Sequence, residues 1–308
     1  MRVAIIGRSE ILFDVINQIQ LSDNEVSCII SSKEAPEYSK GINDFIKLSK
    51  ELKVPIVIGS NINEFEKTIK ESNSEIGISF NYTGLIPQKI VDIFPLGILN
   101  AHGGDLPRYR GNACQAWAIL NNEEKIGLCI HKMIGDDLDS GDIIMREYLN
   151  IDVNTKITEV WSWMNKRIPQ LFLDAISKLE IDPGYKIESQ SKNNYDILRC
   201  YPRREEDAGI NWNQSADSIL RLINASNKPY SGAFCEYRGK KIYIWDAEVV
   251  CDNEIFCAVP GQVTKVGDSF IEIACGSGKL RIKMISIDGE TIHPSRNEFS
   301  MRSRLNNI

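Results

Sequence analysis

The sequence predicts an α/β protein: a Rossmann-like domain built on a parallel sheet, followed by a smaller domain folded as an OB-like β-barrel. Three observations carry this. Short apolar runs alternate with helical patterns through the first 150 residues; a polar, aperiodic stretch follows at 188–212; short strands with glycine turns come after it. A chain of 308 residues, 43% hydrophobic and 25% charged, is long enough for two domains with cores of their own.

The elements read in order. RVAII (2–6) is a buried strand, and Gly7 and Arg8 turn the chain into a helix with Ile11, Leu12, Val15, Ile16 and Ile19 on one face. VSCII (26–30) is a second strand, and the helix in DFIKLSKELKV leads to a third, PIVIG (55–59). The helix INEFEKTIKESN precedes the strand IGISF (76–80), and the short helix IPQKIVDIF precedes LGILN (96–100). A long amphipathic helix is expected from 155 to about 181, with Trp161, Trp163 and Phe172 as core aromatics. The helix SADSILRLINAS (215–226) opens the second domain, and alternating strands follow it. The predicted organisation is a catalytic domain at 1–187, a linker at 188–205 and the barrel domain at 206–308.

Several classes are disfavoured. Only Gly7 follows the first strand, where a dinucleotide fingerprint needs three glycines. CGSGKL (275–280) lacks the upstream Gly and the final Ser/Thr of a phosphate loop, and reads as a hairpin turn. The eight cysteines form no C-x-x-C pair, so most are expected to be small buried apolar residues. No apolar run approaches the ~18 residues of a membrane span. With no signal peptide before MRVAIIGRSE, a reducing, cytoplasmic setting is expected. A net charge of −6 argues against a surface built to grip nucleic acid, although a local basic patch could lie within an acidic total.

The segment ILNAHGGDLPRYRGN (98–112) is where chemistry concentrates. Asn100 and His102 stand at the end of a strand, where an open parallel sheet meets its ligand. Positions i and i+2 of a strand point to one side, so both polar heads can converge on one reacting atom. Gly103 and Gly104 let the backbone turn and approach a ligand closely. GDDLDSGDII (135–144) sets four aspartates around two glycines, and one of these carboxylates could orient His102. Each feature has a plain alternative: a hydrogen-bonded structural His, and a solvated turn. A Ca²⁺ loop would need EF-hand spacing and a terminal Glu, both missing here.

NAHGGDLPRYRG, with LDSGD placing Asp139 37 residues beyond His102, resembles the folate-dependent formyltransferase family. SFNYTGLIP (79–87) resembles that family's folate-pocket segment. YPRREEDAGINW (201–212) and PGQVTKVGDSFIEIACGSGKLRIK (260–283) resemble the linker and C-terminal barrel of its two-domain members. The departures are Gly104 and Asp105, where the family commonly has Ser and Leu. The resemblance implies N10-formyltetrahydrofolate as co-substrate, no metal, and an amine acceptor that attacks the formyl carbon through a tetrahedral intermediate. It assigns Asn100 as oxyanion donor, His102 as the proton-transfer group, and Asp139 as the carboxylate that orients His102, favours its protonated form or relays its proton. An imidazole, with an ordinary pKa of about 6.5, suits that task near neutrality. Leu85, Ile86, Asp136 and Asp139 are the expected folate contacts.

Two acceptors occur in the family: methionyl-tRNA, and an amino sugar linked to a nucleotide as a precursor of surface polysaccharide such as lipopolysaccharide O-antigen. Residues 206–308 carry 12 Lys or Arg against 13 Asp or Glu, and the loop SSKEAPEYSKG (31–41) mixes signs. A tRNA-holding barrel should be basic. YRGNACQAWAIL (109–120) resembles the sugar enzymes, with Tyr109, Asn112 and Gln115 placed to meet a sugar or pyrophosphate, or else merely capping a helix. The expectation is therefore a sugar N-formyltransferase, with methionyl-tRNA formyltransferase as the alternative and a non-catalytic folate- or nucleotide-sugar-binding protein as a third reading. A homodimer is allowed.

Overall fold

The computed structural model describes residues 1–33 and 38–307, so residues 34–37 of the mixed-charge loop lie outside the described residues. The chain divides into two units. The first comprises 1–111, 126–149 and 162–200; the second comprises 112–125, 150–161 and 201–308.

In chain order the elements begin with β1 (Arg2–Gly7), α1 (Glu10–Gln20), β2 (Glu25–Ser31), α2 (Ile42–Leu52) and β3 (Ile56–Ile58). Next come α3 (Glu66–Glu71), β4 (Ile76–Phe80), α4 (Gln88–Val91), β5 (Ile98–His102), β6 (Arg110–Gly111) and α5 (Cys114–Leu120). They continue with β7 (Lys125–Lys132), β8 (Ile143–Asn150), α6 (Ile157–Ile181) and β9 (Arg199–Cys200). The strands β3-β2-β1-β4-β5-β7-β8 lie side by side in one sheet. β1 to β5 pair in parallel, and Val3–Ile6 of central β1 are fully buried, which explains their unbroken apolar run. The strand order reverses between β1 and β4, so the carboxyl ends of these strands border a crevice.

Gly7 serves this packing. At φ +132°, a Cβ there would lie 1.9 Å from the Phe80 carbonyl oxygen, so only glycine lets β1 turn so close to β4. The strictly parallel rhythm ends at β7, which runs antiparallel to β5. An antiparallel neighbour requires no crossover helix, and the rhythm of the sequence does not reveal the change.

In the first unit Ile168, Phe172, Ala175, Ile176 and Leu179 of α6 are buried at helical spacing. Phe172 is core, as expected. Trp161 and Trp163 are not: both are half-buried, and the Trp163 indole Nε1 donates to Glu147 at 3.3 Å. For Trp163, the bond to Glu147 holds the indole N–H at the polar edge of the core.

The second unit adds α7 (Ala216–Ala225), β10 (Ala233–Tyr237), β11 (Lys240–Val249), β12 (Val263–Val266), β13 (Ile271–Ala274), β14 (Lys279–Ile287) and β15 (Glu290–Ile292). β10 to β14 form an antiparallel sheet in the order β10-β11-β14-β13-β12, with β15 on β14. Arg238-Gly239 and Asp288-Gly289, all at positive φ, make the two-residue hairpin turns favoured by strand twist. CGSG is the turn between β13 and β14, with the Cys275 amide donating to the Gly278 carbonyl at 3.0 Å.

The two edges of this sheet are joined by the chain's end. Glu236 on β10 bridges Asn306, while Gln262 beside β12 bridges Arg304. Residues 303–306 thus act as a closing strand, which removes two open edges. The core holds Trp212, Ile219, Ile223, Ile244, Ile273, Leu280 and Ile282, all fully or nearly fully buried. Each such aliphatic side chain contributes about 1.5–3 kcal/mol. Of the eight cysteines six are buried, as their spacing suggested; Cys251 and Cys257 are exposed.

Candidate active site

Asn100 and His102 lie on one face of β5, two residues apart. The antiparallel partner β7 sets His131 directly opposite Asn100 and Cys129 opposite His102. Directly paired residues share a face, so His131 joins the site. Its Nε2 is 3.2 Å from Asn100 Nδ2, and its Nδ1 is 2.9 Å from the Lys132 carbonyl oxygen. A carbonyl can only accept, so Nδ1 carries the proton, and in the neutral ring Nε2 accepts from the Asn100 amide. This bond orients Asn100 and leaves its second amide hydrogen for another oxygen.

Asp139 lies between the two rings. Its Oδ2 is 3.5 Å from His102 Nδ1, and its Oδ1 is 3.6 Å from His131 Nε2. The Gly111 amide donates to Oδ2 at 2.9 Å. Burial by itself would raise this carboxyl, but the facing imidazoles of His102 and His131 and the Gly111 amide outweigh it. The group is held well below the usual carboxylate range and stays ionised.

The other nitrogen of His102, Nε2, donates to the Tyr109 carbonyl at 2.6 Å, which fixes the rotation of the ring. Gly104 makes this possible. A Cβ on residue 104 would lie 2.5 Å from that carbonyl and 2.7 Å from His102 Nε2. In this chain the imidazole and the Tyr109 carbonyl occupy the space that a side chain at position 104 would need. Gly104→Ala should push the ring off the Tyr109 carbonyl, and a misplacement of about 1 Å is expected to lower kcat roughly 100-fold. Steady-state kinetics on the folded variant checks this; activity within threefold of the parent would refute it.

Asp105, the second departure, ties the same loop down. It accepts from the Tyr148 hydroxyl at 2.9 Å and lies 3.7 Å from Arg146 Nε. Arg146 Nη2 also donates to the Leu106 carbonyl at 2.5 Å.

The remaining sequence-selected residues fall into two groups. Leu85 is 80% exposed beside Ile86 at 5%, immediately before α4. The acidic loop reaches this segment where the Gly135 amide donates to Gln88 Oε1 at 2.8 Å, and exposed Asp136 follows at φ +65°. Leu85, Ile86 and Asp136 therefore come from adjoining segments. The Tyr109 side chain is buried and takes part through its carbonyl. Asn112 and Gln115 belong to the second unit, Asn112 exposed and Gln115 half-buried in the first turn of α5. Among the described residues no group of three or more His, Cys, Asp or Glu side chains is arranged to hold a metal ion. No helix among them is long and apolar enough to cross a membrane.

His131 escaped the sequence reading. The signal available was that a chain with three histidines places one in the strand just before the acidic loop.

Residues 1–176 match the family described as formyl transferase, and residues 203–300 match the formyl transferase C-terminal domain. Among curated relatives, the methionyl-tRNA formyltransferase of Acetivibrio thermocellus is 27% identical over 296 residues, covering 94% of this chain and 92% of its own. That of Rickettsia massiliae is 27% identical over 290 residues, covering 92% and 91%. Among solved structures, the sugar 3N-formyl transferase WlaRD superposes with a TM-score of 0.66 at 19% identity, over 94% of this chain and 98% of its own.

Proposed function

The chain belongs to the formyl transferase family, and from that premise we propose that its acceptor is the amine of methionyl-tRNA. Support comes from the curated relatives, which bear the name methionyl-tRNA formyltransferase and align over more than nine-tenths of both chains.

This corrects the expectation of a nucleotide-linked amino sugar as acceptor, and with it the case against a nucleic-acid partner. Sugar-modifying relatives share the fold at 17–19% identity, whereas the tRNA enzymes are relatives at 26–27%. Two physical reasons explain the misreading. Much of the RGNACQAWAIL signal is packing: Cys114, Ala116, Ala118 and Ile119 are buried, α5 packs on α7, and Trp117 Nε1 donates to the Tyr201 carbonyl. Net charge, moreover, counts charges that neutralise one another. Buried Glu272 takes Arg281 at 2.7 Å and lies within 4.0 Å of Lys279, which also pairs with Asp252 and Glu254. Such pairs reveal little about the local surface a phosphate meets.

The family's donor is N10-formyltetrahydrofolate: the acceptor nitrogen adds to its formyl carbon, putting negative charge on the formyl oxygen, the carbon–N10 bond then breaks, and the amine proton passes to N10. The residues present suit it: Leu85 offers apolar surface beside buried Ile86, Asp136 offers a carboxylate, and Asn100 offers an amide donor for a carbonyl oxygen. In this reading Leu85, Ile86 and Asp136 hold the folate. Asn100 turns its free amide hydrogen toward the oxygen that gains negative charge, His102 receives the proton of the attacking amine, and Asp139 stabilises the imidazolium. The observation that carries the reading is the position of Asn100, donating to His131 on the face it shares with an Asp139-paired His102. Formyl transfer from N10-formyltetrahydrofolate should be measured with methionyl-tRNA beside a panel of nucleotide-linked amino sugars. Turnover is expected with methionyl-tRNA; turnover restricted to a sugar would refute the proposal.

A further inference from the structure

The aspartate between the two histidines is itself held in place. Asp139 sits at φ +52°, in the left-handed region that few residues other than glycine, Asn and Asp adopt. What surrounds it is a buried polar clamp. Gln190, 7% exposed, donates from Nε2 to the Asp139 carbonyl at 2.8 Å and to the Gly141 carbonyl at 2.8 Å. Its Oε1 accepts from Arg110 Nε at 3.2 Å and Nη2 at 2.8 Å. Arg110, 8% exposed, adds a bond from Nη2 to the Ser191 carbonyl at 3.5 Å.

The arrangement permits only one amide orientation. A flipped Gln190 would set its NH₂ against a guanidinium and its oxygen against two carbonyls, leaving buried groups unpaired. One side chain thus ties two segments together: the acidic loop, through Asp139 and Gly141, and the RG dipeptide of β6, through Arg110. The second segment reaches Asp139 again, because Gly111 donates its amide to the carboxylate. Gly111 sits at φ +107°, where a Cβ would meet the Cys200 carbonyl oxygen at 2.3 Å, so this strand lies pressed against β9.

We propose that Gln190, braced by Arg110, is a positioning residue for catalysis: it holds the acidic loop so that the Asp139 carboxylate faces His102 and His131. The proposal rests on the catalytic reading of Asp139 given above. Gln190 touches neither histidine and acts only through the loop.

A double-mutant cycle tests it. Gln190→Ala, Asp139→Asn and the double variant are assayed on the full chain with N10-formyltetrahydrofolate and methionyl-tRNA. Gln190→Ala should lower kcat by about 10–100-fold, the usual scale for supporting partners, with KM for the folate little changed. In the Asp139→Asn background the same change should cost less than about threefold, because there is no longer a carboxylate to aim. A purely structural role would cost the same in both backgrounds, and that result would overturn the proposal. Gln190→Glu supplies a second variant should Gln190→Ala fail to fold. It keeps the acceptor for Arg110 but turns an oxygen toward the two carbonyls, and the same loss of kcat is expected. An independent readout is the imidazole resonances of His102 and His131 at neutral pH. In Gln190→Ala they should move in the direction seen in Asp139→Asn, and unmoved resonances would count against the clamp. Should Asp139→Asn alone retain full kcat, the catalytic reading of Asp139 falls, and this proposal with it. Loss in Asp139→Asn without loss in Gln190→Ala refutes the clamp alone.

Discussion

Replacing His102 with Asn should lower kcat by about 10²–10⁴-fold, the range that a positioned acid–base group contributes. The grounds are geometric before they are chemical. The ring is buried, turned by the Tyr109 carbonyl at Nε2, and faced by Asp139 at Nδ1. An Asn side chain ends short of the Nε2 position and so loses the Tyr109 carbonyl; it also cannot take up a proton near neutral pH and gives Asp139 no charge to stabilise. Binding should survive, because none of the residues expected to hold the folate is altered. Single-turnover formyl transfer, measured beside calorimetric binding of N10-formyltetrahydrofolate, separates the two effects. Turnover within tenfold of the parent would show that the proton moves elsewhere. The same pair of measurements disposes of the non-catalytic alternative: a binding module would hold the ligand and show no turnover even in the parent chain.

Replacing Asn100 with Ala should cost kcat about 10²–10³-fold, or roughly 2.7–4 kcal/mol of transition-state stabilisation. One amide hydrogen of Asn100 is committed to His131, and this bond aims the other. The loss should fall on kcat with KM little changed, because the interaction strengthens only as the oxygen gains charge. Asn100→Asp provides the sharper comparison. It has the same size and also loses the donor, and it sets a carboxylate where negative charge develops, so the loss should be at least as large. Steady-state kinetics of both variants checks this. A mere rise in KM would mean that Asn100 binds the ground state and is no oxyanion donor.

The unequal legibility of the site has a physical cause. Asn100 and His102 could be paired from spacing because a strand repeats every two residues. Asp139 needed the resemblance to the formyltransferase motif, since 37 residues separate it from His102 and no periodicity spans that interval. His131 lies 31 residues from Asn100, and only the antiparallel register of β7 on β5 places them opposite each other. Gln190 was harder still. It stands in the polar stretch after α6, where the loss of periodicity suggested a linker, yet residues 190 and 191 bond to Arg110, 80 and 81 positions earlier. Polarity marks both an exposed tether and a buried clamp, and burial alone distinguishes them.

By itself, then, the sequence determined the features that local period and composition dictate: an α/β sheet followed by an antiparallel β unit, the glycine turns, and an Asn and a His on one face at a strand end. Tertiary structure alone decided which distant groups complete that face: His131 as partner of Asn100, the Tyr109 carbonyl and the glycine that makes room for it, and Gln190 behind Asp139. The reason is that backbone periodicity repeats over a few residues, whereas strand register and burial join residues tens of positions apart and can be read only once the chain has folded.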